Sequence, residues 1–143
     1  MKIKQLSIFV ENKAGRLAKI TKTLADAKID IRAISVADTT EFGILRLIVN
    51  DPERACAHLK NESITVSLTE VIAIDIDDTP GEFARAMDIL SENNIAIEYV
   101  YAFVSRDRGK ASVILRVDDS DKALEAFAKT GIDVLSSDQI RGM

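Results

Sequence analysis

The sequence is poor in the residues that most often carry catalytic and metal chemistry. Its 143 residues include one cysteine, Cys56, one histidine, His58, and no tryptophan. One cysteine excludes an intramolecular disulfide, and this pair alone excludes the usual zinc sites and cysteine-ligated clusters. Because Cys56 and His58 are two positions apart, a helix would place them on different faces. We therefore interpret Cys56 as a small buried residue and His58 as a surface residue, and we expect no metal and no cofactor.

Long apolar runs and an excess of positive charge are also missing. No segment approaches the roughly 20 apolar residues that cross a bilayer, and Met1-Lys2-Ile3-Lys4 begins an alternating pattern, unlike a signal peptide. Nineteen basic residues against 23 acidic ones give a net charge of −4, which disfavours binding to nucleic-acid phosphates or anionic lipids. We expect a cytoplasmic protein that has neither a nucleic-acid partner nor a membrane partner.

The chain contains an internal repeat. Gly15 and its neighbours correspond to Gly81 and its neighbours at an offset of 66 residues, and the apolar positions around both glycines coincide. Further along, Asp51 corresponds to Asp119 at an offset of 68, because the second copy has two more residues in a hairpin. We therefore expect two modules, 1–70 and 71–143.

Each half predicts the order strand, helix, strand, strand, helix, strand. Alternating apolar residues over Leu6–Val10 predict a strand, and the apolar spacing over Leu17–Leu24 predicts a helix. Asp51 and Asp119 are predicted N-caps of the second helix in each half. The predicted hairpin turns are at 38–41 and 106–109.

No proline-, glycine- or serine-rich linker separates the halves. Val66–Val71 leads from one strand pattern directly into the next. Each half has roughly 70 residues, which is small for an independent domain. We therefore predict an α+β fold of two tandem ferredoxin-like βαββαβ modules packed together.

A strand-to-helix turn with glycine near the helix start occurs in both halves. The two segments are Asn12-Lys13-Ala14-Gly15-Arg16-Leu17 and Asp78-Thr79-Pro80-Gly81-Glu82-Phe83. Such a turn exposes amides at the positive end of a helix, where carboxylates and phosphates bind. The alternative is structural: Asn12 and Asp78 cap the helices, and the glycines only permit the turns.

The second segment resembles the Asp-x-Pro-Gly-x-Leu signature of ACT domains. The first segment is similar, with Asn12 in place of aspartate and Ala14 in place of proline. The resemblance covers essentially the whole chain as two copies, like stand-alone tandem ACT proteins rather than an ACT tail on an enzyme. It implies a regulatory module that binds an amino acid at an interface between two ACT units, with a homodimer or a metabolic enzyme as the protein partner.

The resemblance also implies which residues bind. The α-carboxylate would bind amides around Ala14–Leu17 or Pro80–Phe83, and the α-ammonium would bind Asn12 or Asp78. Arg16 adds a cation where the second loop has Glu82, which favours the first loop. The implied ligand-binding residues of the two loops are Asn12, Ala14, Gly15, Arg16, Leu17, Asp78, Pro80, Gly81 and Phe83.

An aromatic row distinguishes the second copy. Tyr99, Tyr101 and Phe103 have the same parity on one predicted strand, where the first copy has small residues. We expect this row to face away from the helices of its own module, to pack at an inter-module or inter-subunit contact and, through Tyr99 and Tyr101, to line the ligand pocket. A purely structural interface is the alternative. The opposite parity is predicted to supply the helix-covered core with Ile34, Val36, Val100 and Ala102.

Two other functions have some support in the sequence. Arg16 and Asn12 offer a partial match to the arginine and asparagine of acylphosphatases, but the rest of that phosphate loop is missing. Tyr99 and Tyr101 could stack on RNA bases, but the third strands lack the basic and aromatic signature. We predict a non-catalytic regulatory protein that binds an amino acid. The alternative is a regulatory subunit that controls an amino-acid biosynthetic enzyme mainly through protein contacts.

Overall fold

The computed structural model describes residues 1–38, 41–104 and 109–143, so parts of both predicted hairpin turns lie outside the described residues. The chain forms two compact units. The N-terminal unit comprises Lys4–Thr69 with Ile140–Gly142, and the C-terminal unit comprises Met1–Ile3, Glu70–Gln139 and Met143. The repeat did not predict that a few residues from each chain end belong to the other unit. The module bounds 1–70 and 71–143 remain predictions.

The N-terminal unit has the predicted element order. Its elements are β1 (Ile3–Glu11), α1 (Arg16–Asp26), β2 (Ile31–Asp38), β3 (Phe42–Val49), α2 (Pro52–Asn61) and the first residues of β4 (Val66–Asp77). The strand order is β2-β3-β1-β4, and β3 pairs antiparallel with both β1 and β2. One sheet face and the two helices enclose a core that includes Leu6, Ile8, Ile20, Leu24, Leu45, Leu47, Ala55 and Leu59. This is the ferredoxin-like arrangement.

The C-terminal unit repeats this arrangement. The rest of β4 is followed by α3 (Glu82–Glu92), β5 (Ile97–Val104), β6 (Lys110–Val117), α4 (Ser120–Thr130) and β7 (Asp133–Val134). The strand order is β5-β6-β4, with β7 paired to β4. The core includes Ile72, Ile74, Ala86, Leu90, Val113, Leu115, Ala123 and Phe127. The α+β fold with two ferredoxin-like modules is confirmed.

Both predicted aspartate caps are present. Asp51 Oδ1 accepts a hydrogen bond from the Arg54 amide over 3.3 Å, and Asp119 Oδ1 accepts one from the Lys122 amide over 3.1 Å. Each bond satisfies an amide in the first turn of its helix, α2 or α4, that has no intrahelical partner. The sequence therefore predicted these two helix starts to the residue.

A short helix near the C-terminus, α5 (Ser137–Arg141), was not predicted. It is too short for a periodic apolar signal, but its start carries a recognisable motif. Ser136 Oγ accepts from the Gln139 amide over 3.2 Å, and Gln139 Oε1 accepts from the Ser136 amide over 2.8 Å. This reciprocal pair is a capping box, which the Ser-x-x-Gln spacing could have revealed.

The prediction that the helix-covered core includes Ile34 and Val36 of β2 and Val100 and Ala102 of β5 is wrong. Ile34 is paired with Leu47 and Val36 with Leu45, so both lie on the helix side of the sheet, yet they are 48% and 53% exposed. Val100 on β5 is 40% exposed. The reason is their place in the sheet: β2 and β5 are edge strands, and the sheet residues of each core come mainly from the inner strands.

The single cysteine lies in the core of the N-terminal unit. Cys56 on α2 is buried, as interpreted from the sequence, while His58 is half-buried. Within the described ranges, no cluster of three or more metal-ligating side chains occurs. In the same part of the chain, the helices lack the length and apolar character needed to span a membrane.

Candidate functional site

The first loop turns sharply into α1 at a glycine. Gly15 occupies the N-cap position with φ 86°, a left-handed conformation that favours glycine. The turn is closed by two backbone hydrogen bonds, from the Lys13 amide to the Glu11 carbonyl over 2.8 Å and from the Arg16 amide to the Lys13 carbonyl over 3.2 Å. Glycine has no side chain with which to cap the helix, so the first turn of α1 lacks an N-cap side chain.

The second loop has the same geometry. Gly81 is the N-cap of α3 with φ 95°, and the Glu82 amide donates to the Thr79 carbonyl over 3.3 Å. The structural alternative, in which Asn12 and Asp78 cap the helices, is therefore wrong. Their amides instead donate to the neighbouring strand connection, Asn12 to the Glu41 carbonyl over 2.9 Å and Asp78 to the Gly109 carbonyl over 2.7 Å.

A small apolar pocket of about 120 Å³ lies beside the first loop. It brings together two of the predicted binding residues, Asn12 and Leu17, with Val36 on the exposed edge strand β2. The residues that line it are Val10, Glu11, Asn12, Lys13, Leu17, Val36, Gly43 and Leu45. Both the helix N-terminus and an uncovered strand therefore border one cavity.

Arg16 lines a different pocket, which shares Val10 and Glu11 with the first. This cavity has a volume of about 370 Å³ and also contains Lys19, Glu62 and Thr65 in its lining. Arg16 therefore does not line the pocket that contains Asn12 and Leu17, although all three belong to the same predicted set. Ala14 and Gly15 form the exposed turn between them.

The two loops differ in charge. In the first loop, Lys13 Nζ and Arg16 Nη2 lie 3.2 Å and 3.8 Å from Glu11 Oε2, which gives two cations against one anion. In the second loop, Thr79 and Glu82 replace Lys13 and Arg16. The helix start in the first loop therefore has the more favourable charge for a carboxylate.

Acidic residues of the second loop are engaged with nearby cations. Lys110 Nζ lies 2.6 Å from Asp77 Oδ1, and this hydrogen bond raises the pKa of Lys110 above its ordinary value. Arg85 Nη1 lies 3.8 Å from Glu82 Oε2. Asp78 and Pro80 complete this loop as exposed residues, and Phe83 follows in the first turn of α3.

The aromatic row lies on the sheet face opposite the helices. Tyr99 is paired with Arg116 and Tyr101 with Ile114, whereas Val100 is paired with the core residue Leu115. Both tyrosines are half-buried. In the second copy, the residues that correspond to Ile34 and Val36 are Val100 and Ala102. The two tyrosines alternate with these residues and lie on the other face of the sheet, so they do not occupy the position that Val36 has beside the first loop. Their part in binding remains a prediction.

An exposed apolar patch in the N-terminal unit was not predicted from the sequence. Phe9 and Phe42 stack with ring centroids 4.9 Å apart at an interplanar angle of 26°, and Ile44 is paired with Phe9 across the strands. All three are exposed. The matching residues of the second copy are polar, and a copy-by-copy comparison could have revealed the patch: they are Asp75, Lys110 and Ser112.

Comparison with known proteins also indicates a chain made of two similar domains. The whole chain, residues 1–143, matches the sequence profile of a family described as ACT domain pair. The chain belongs to this ACT family. The resemblance read from the Asp78–Phe83 segment is therefore confirmed, and the two units are ACT modules.

Solved structures and one curated protein are similar to this ACT pair. A crystal structure from Bacteroides thetaiotaomicron has 37% identity and a TM-score of 0.95, covering 100% of this chain and 98% of that one. The regulatory subunit of aspartate kinase from Thermus thermophilus, in its ligand-free form, has 17% identity and a TM-score of 0.63, covering 88% and 91%, which shows a shared fold. An aspartokinase from Corynebacterium glutamicum is 29% identical over 134 residues. That match covers 82% of this chain but 31% of the aspartokinase, so this chain spans about a third of its length.

Proposed function

We propose that this ACT pair is a non-catalytic, cytoplasmic regulatory protein that binds an amino acid at the first loop of its N-terminal unit. The observation that carries the proposal is the 120 Å³ pocket, which lies beside the start of α1 and includes Asn12 and Leu17 in its lining. A helix start that lacks a capping side chain supplies amides and a positive dipole end for the α-carboxylate. The Asn12 side-chain oxygen is the proposed acceptor for the α-ammonium.

The second loop is the weaker candidate. It shares the backbone turn, and Asp78, Pro80, Gly81 and Phe83 are its proposed contacts. Its helix start, however, carries Glu82 where the first loop has Arg16, which disfavours a carboxylate. At the apolar positions, the second copy has one larger residue, Phe83 in place of Leu17, and one smaller residue, Ala102 in place of Val36. Charge rather than side-chain size therefore distinguishes the two loops.

A second ACT module is the proposed cover of the site. The pocket opens beside Val36 on β2, an edge strand whose apolar side chains are exposed. Edge strands with exposed apolar residues favour pairing with another chain. A homodimer in which a neighbouring module covers this strand would enclose the bound amino acid, and ligand binding would then favour the paired state.

A thermal-shift screen of the full chain against the twenty amino acids tests the proposal. A ligand at about 100 times its dissociation constant stabilises the folded state by about 2.7 kcal/mol, which is measurable. Asn12→Ala should lower the affinity for the stabilising amino acid and leave the fold intact. The proposal fails if no amino acid stabilises the chain.

The alternative, a regulatory subunit that acts mainly through protein contacts, is supported by the exposed patch of Phe9, Phe42 and Ile44. Its proposed partner is an amino-acid biosynthetic enzyme, by analogy with the aspartokinase of which this chain resembles a part. Capture of a metabolic enzyme that is lost in Phe9→Ser, without amino-acid binding by the isolated chain, would favour this alternative.

A further inference from the structure

The pocket beside the first loop has apolar walls. Val10 from β1, Leu17 from α1, Val36 from β2 and Leu45 from β3 line it. Gly43 contributes backbone only, and a Cβ there would lie 3.1 Å from the Ala37 carbonyl oxygen. The cavity is therefore bounded by hydrocarbon from four elements, with no side chain at position 43.

The polar lining belongs to the loop. Of the eight described residues that line the pocket, three are polar, namely Glu11, Asn12 and Lys13. Glu11 and Lys13 are 3.2 Å apart and compensate each other's charge. A charged side chain that entered between Val10 and Leu45 would lose its water among hydrocarbon walls, which is costly in free energy.

The volume limits what can enter. Complete small-molecule sites usually have volumes of about 300–1,000 Å³, whereas this pocket has about 120 Å³. The pocket therefore has room for a small side chain rather than for a whole ligand.

We propose that the effector is an amino acid with a small branched aliphatic side chain, of the size of valine, leucine or isoleucine, which enters the pocket between Leu17 and Val36. This inference rests on the proposed function, since it assumes that the α-carboxylate and α-ammonium bind at the first loop. The apolar walls select the side chain, and the loop recognises the amino-acid backbone.

Calorimetric titration of the full chain with a panel of amino acids tests the inference. Valine, leucine or isoleucine should bind most tightly. Alanine should bind about tenfold more weakly than valine, because each buried methylene contributes a few-fold in affinity. Threonine should bind about 10- to 100-fold more weakly than valine, since an apolar pocket rejects an added hydroxyl only to this extent. Lysine, aspartate and phenylalanine should show at least 100-fold weaker binding than valine.

Two substitutions locate the side chain. Val36→Thr keeps the β-branched shape but adds a hydroxyl to the wall, and it should weaken aliphatic binding at least several-fold. Ile34→Thr is the matched control, because Ile34 lies on the same face of the same strand, has similar exposure and does not line the pocket. Leu17→Phe should abolish aliphatic binding by filling the cavity, while circular dichroism remains that of the parent.

The outcomes separate the two proposals. If threonine, lysine, aspartate or phenylalanine binds as tightly as valine, the side-chain inference is overturned and the proposed function stands. If aliphatic amino acids bind but Val36→Thr and Ile34→Thr weaken binding equally, the pocket is not the side-chain site and the inference is again overturned. If no amino acid binds, the proposed function fails and this inference fails with it.

Discussion

Ser112 Oγ donates a hydrogen bond to Asp75 Oδ1 over 2.9 Å, between two directly paired residues of β6 and β4 in the C-terminal ACT module. Ser112 is fully buried and Asp75 is half-buried. The residues in the same register of the N-terminal module are Ile44 and Phe9, which are apolar and exposed. Duplication therefore preserved the strand pairing at this place while its chemistry diverged.

Ser112→Ala is expected to lower the free energy of unfolding by about 1–3 kcal/mol, because it removes the hydroxyl donor from a half-buried carboxylate. Urea unfolding followed by circular dichroism measures the change. Ser67→Ala is the control, since Ser67 is an exposed serine of β4, the strand that carries Asp75, and its substitution should change stability by less than about 0.5 kcal/mol. Equal effects of the two substitutions would contradict this prediction.

Substitutions at the loop glycines should weaken amino-acid binding. Gly15 and Gly81 have φ values of 86° and 95°, which proline cannot adopt, and proline also removes the amide. We expect Gly15→Pro and Gly81→Pro each to reduce affinity in calorimetry, with the larger loss at Gly15. Gly15→Ala retains the amide at a strain of about 1–2 kcal/mol and should bind better than Gly15→Pro. If both proline variants fold and bind like the parent, the loops are not the site.

Hydrolysis of acyl phosphates should be undetectable. Arg16 lies 3.8 Å from Glu11 and lines a pocket separate from Asn12, so the two residues that resemble an acylphosphatase pair do not share a cavity. A coupled assay with a small acyl phosphate should give the background rate for both the parent and Arg16→Ala. Clear turnover by the parent that disappears in Arg16→Ala would make the protein an enzyme.

Acid should weaken one surface contact of the N-terminal module. Lys4 Nζ donates to Glu53 Oε1 over 2.8 Å, which lowers the pKa of Glu53 below its ordinary value of 4.5. A carboxyl with a lower pKa in the folded state contributes stability above pH 4.5 and loses it as the pH falls through the folded pKa. Because both side chains are about half exposed, Glu53→Gln should cost under about 1 kcal/mol at pH 7 and progressively less as the pH falls below 4.5. Unfolding curves at several pH values measure this, and Lys4→Met should reproduce the same pH dependence.

The tyrosines of β5 are predicted from the sequence to connect assembly with binding. Tyr99 and Tyr101 are half-buried on the sheet face opposite the helices. Replacing both with alanine is expected to weaken self-association in analytical ultracentrifugation and amino-acid affinity in calorimetry, with the secondary structure retained. A metabolite that binds with micromolar to millimolar affinity provides about 4–8 kcal/mol in total, so a coupling of about 1–3 kcal/mol is expected. Unchanged association and unchanged affinity would show that this row is ordinary surface.

Features encoded within a few neighbouring residues could be predicted from the sequence. Strand alternation, helical spacing and the caps at Asp51 and Asp119 depend on local backbone geometry, so the element order and the ACT repeat followed from them. The left-handed turns at Gly15 and Gly81 were also predictable in position. The alternative in which Asn12 and Asp78 cap the helices is wrong, because the tighter turn makes glycine itself the cap residue.

The surroundings of the loop depended on tertiary structure. The alternation of residues along β2 correctly predicted that Val36 is on the sheet face that the helices pack against. Only the positions of the helices decide that they do not cover this face at the edge strand, where Val36 is exposed. Antiparallel pairing brings Gly43 beside Val10, and helix packing places Leu17 at the same cavity, although these residues are far apart in sequence. The sequence by itself therefore determined the ACT repeat and its two loops, because local hydrogen bonding and apolar periodicity specify them. Tertiary structure decided where the apolar pocket beside the first loop lies, because a cavity exists only where side chains from several elements meet without filling the space between them.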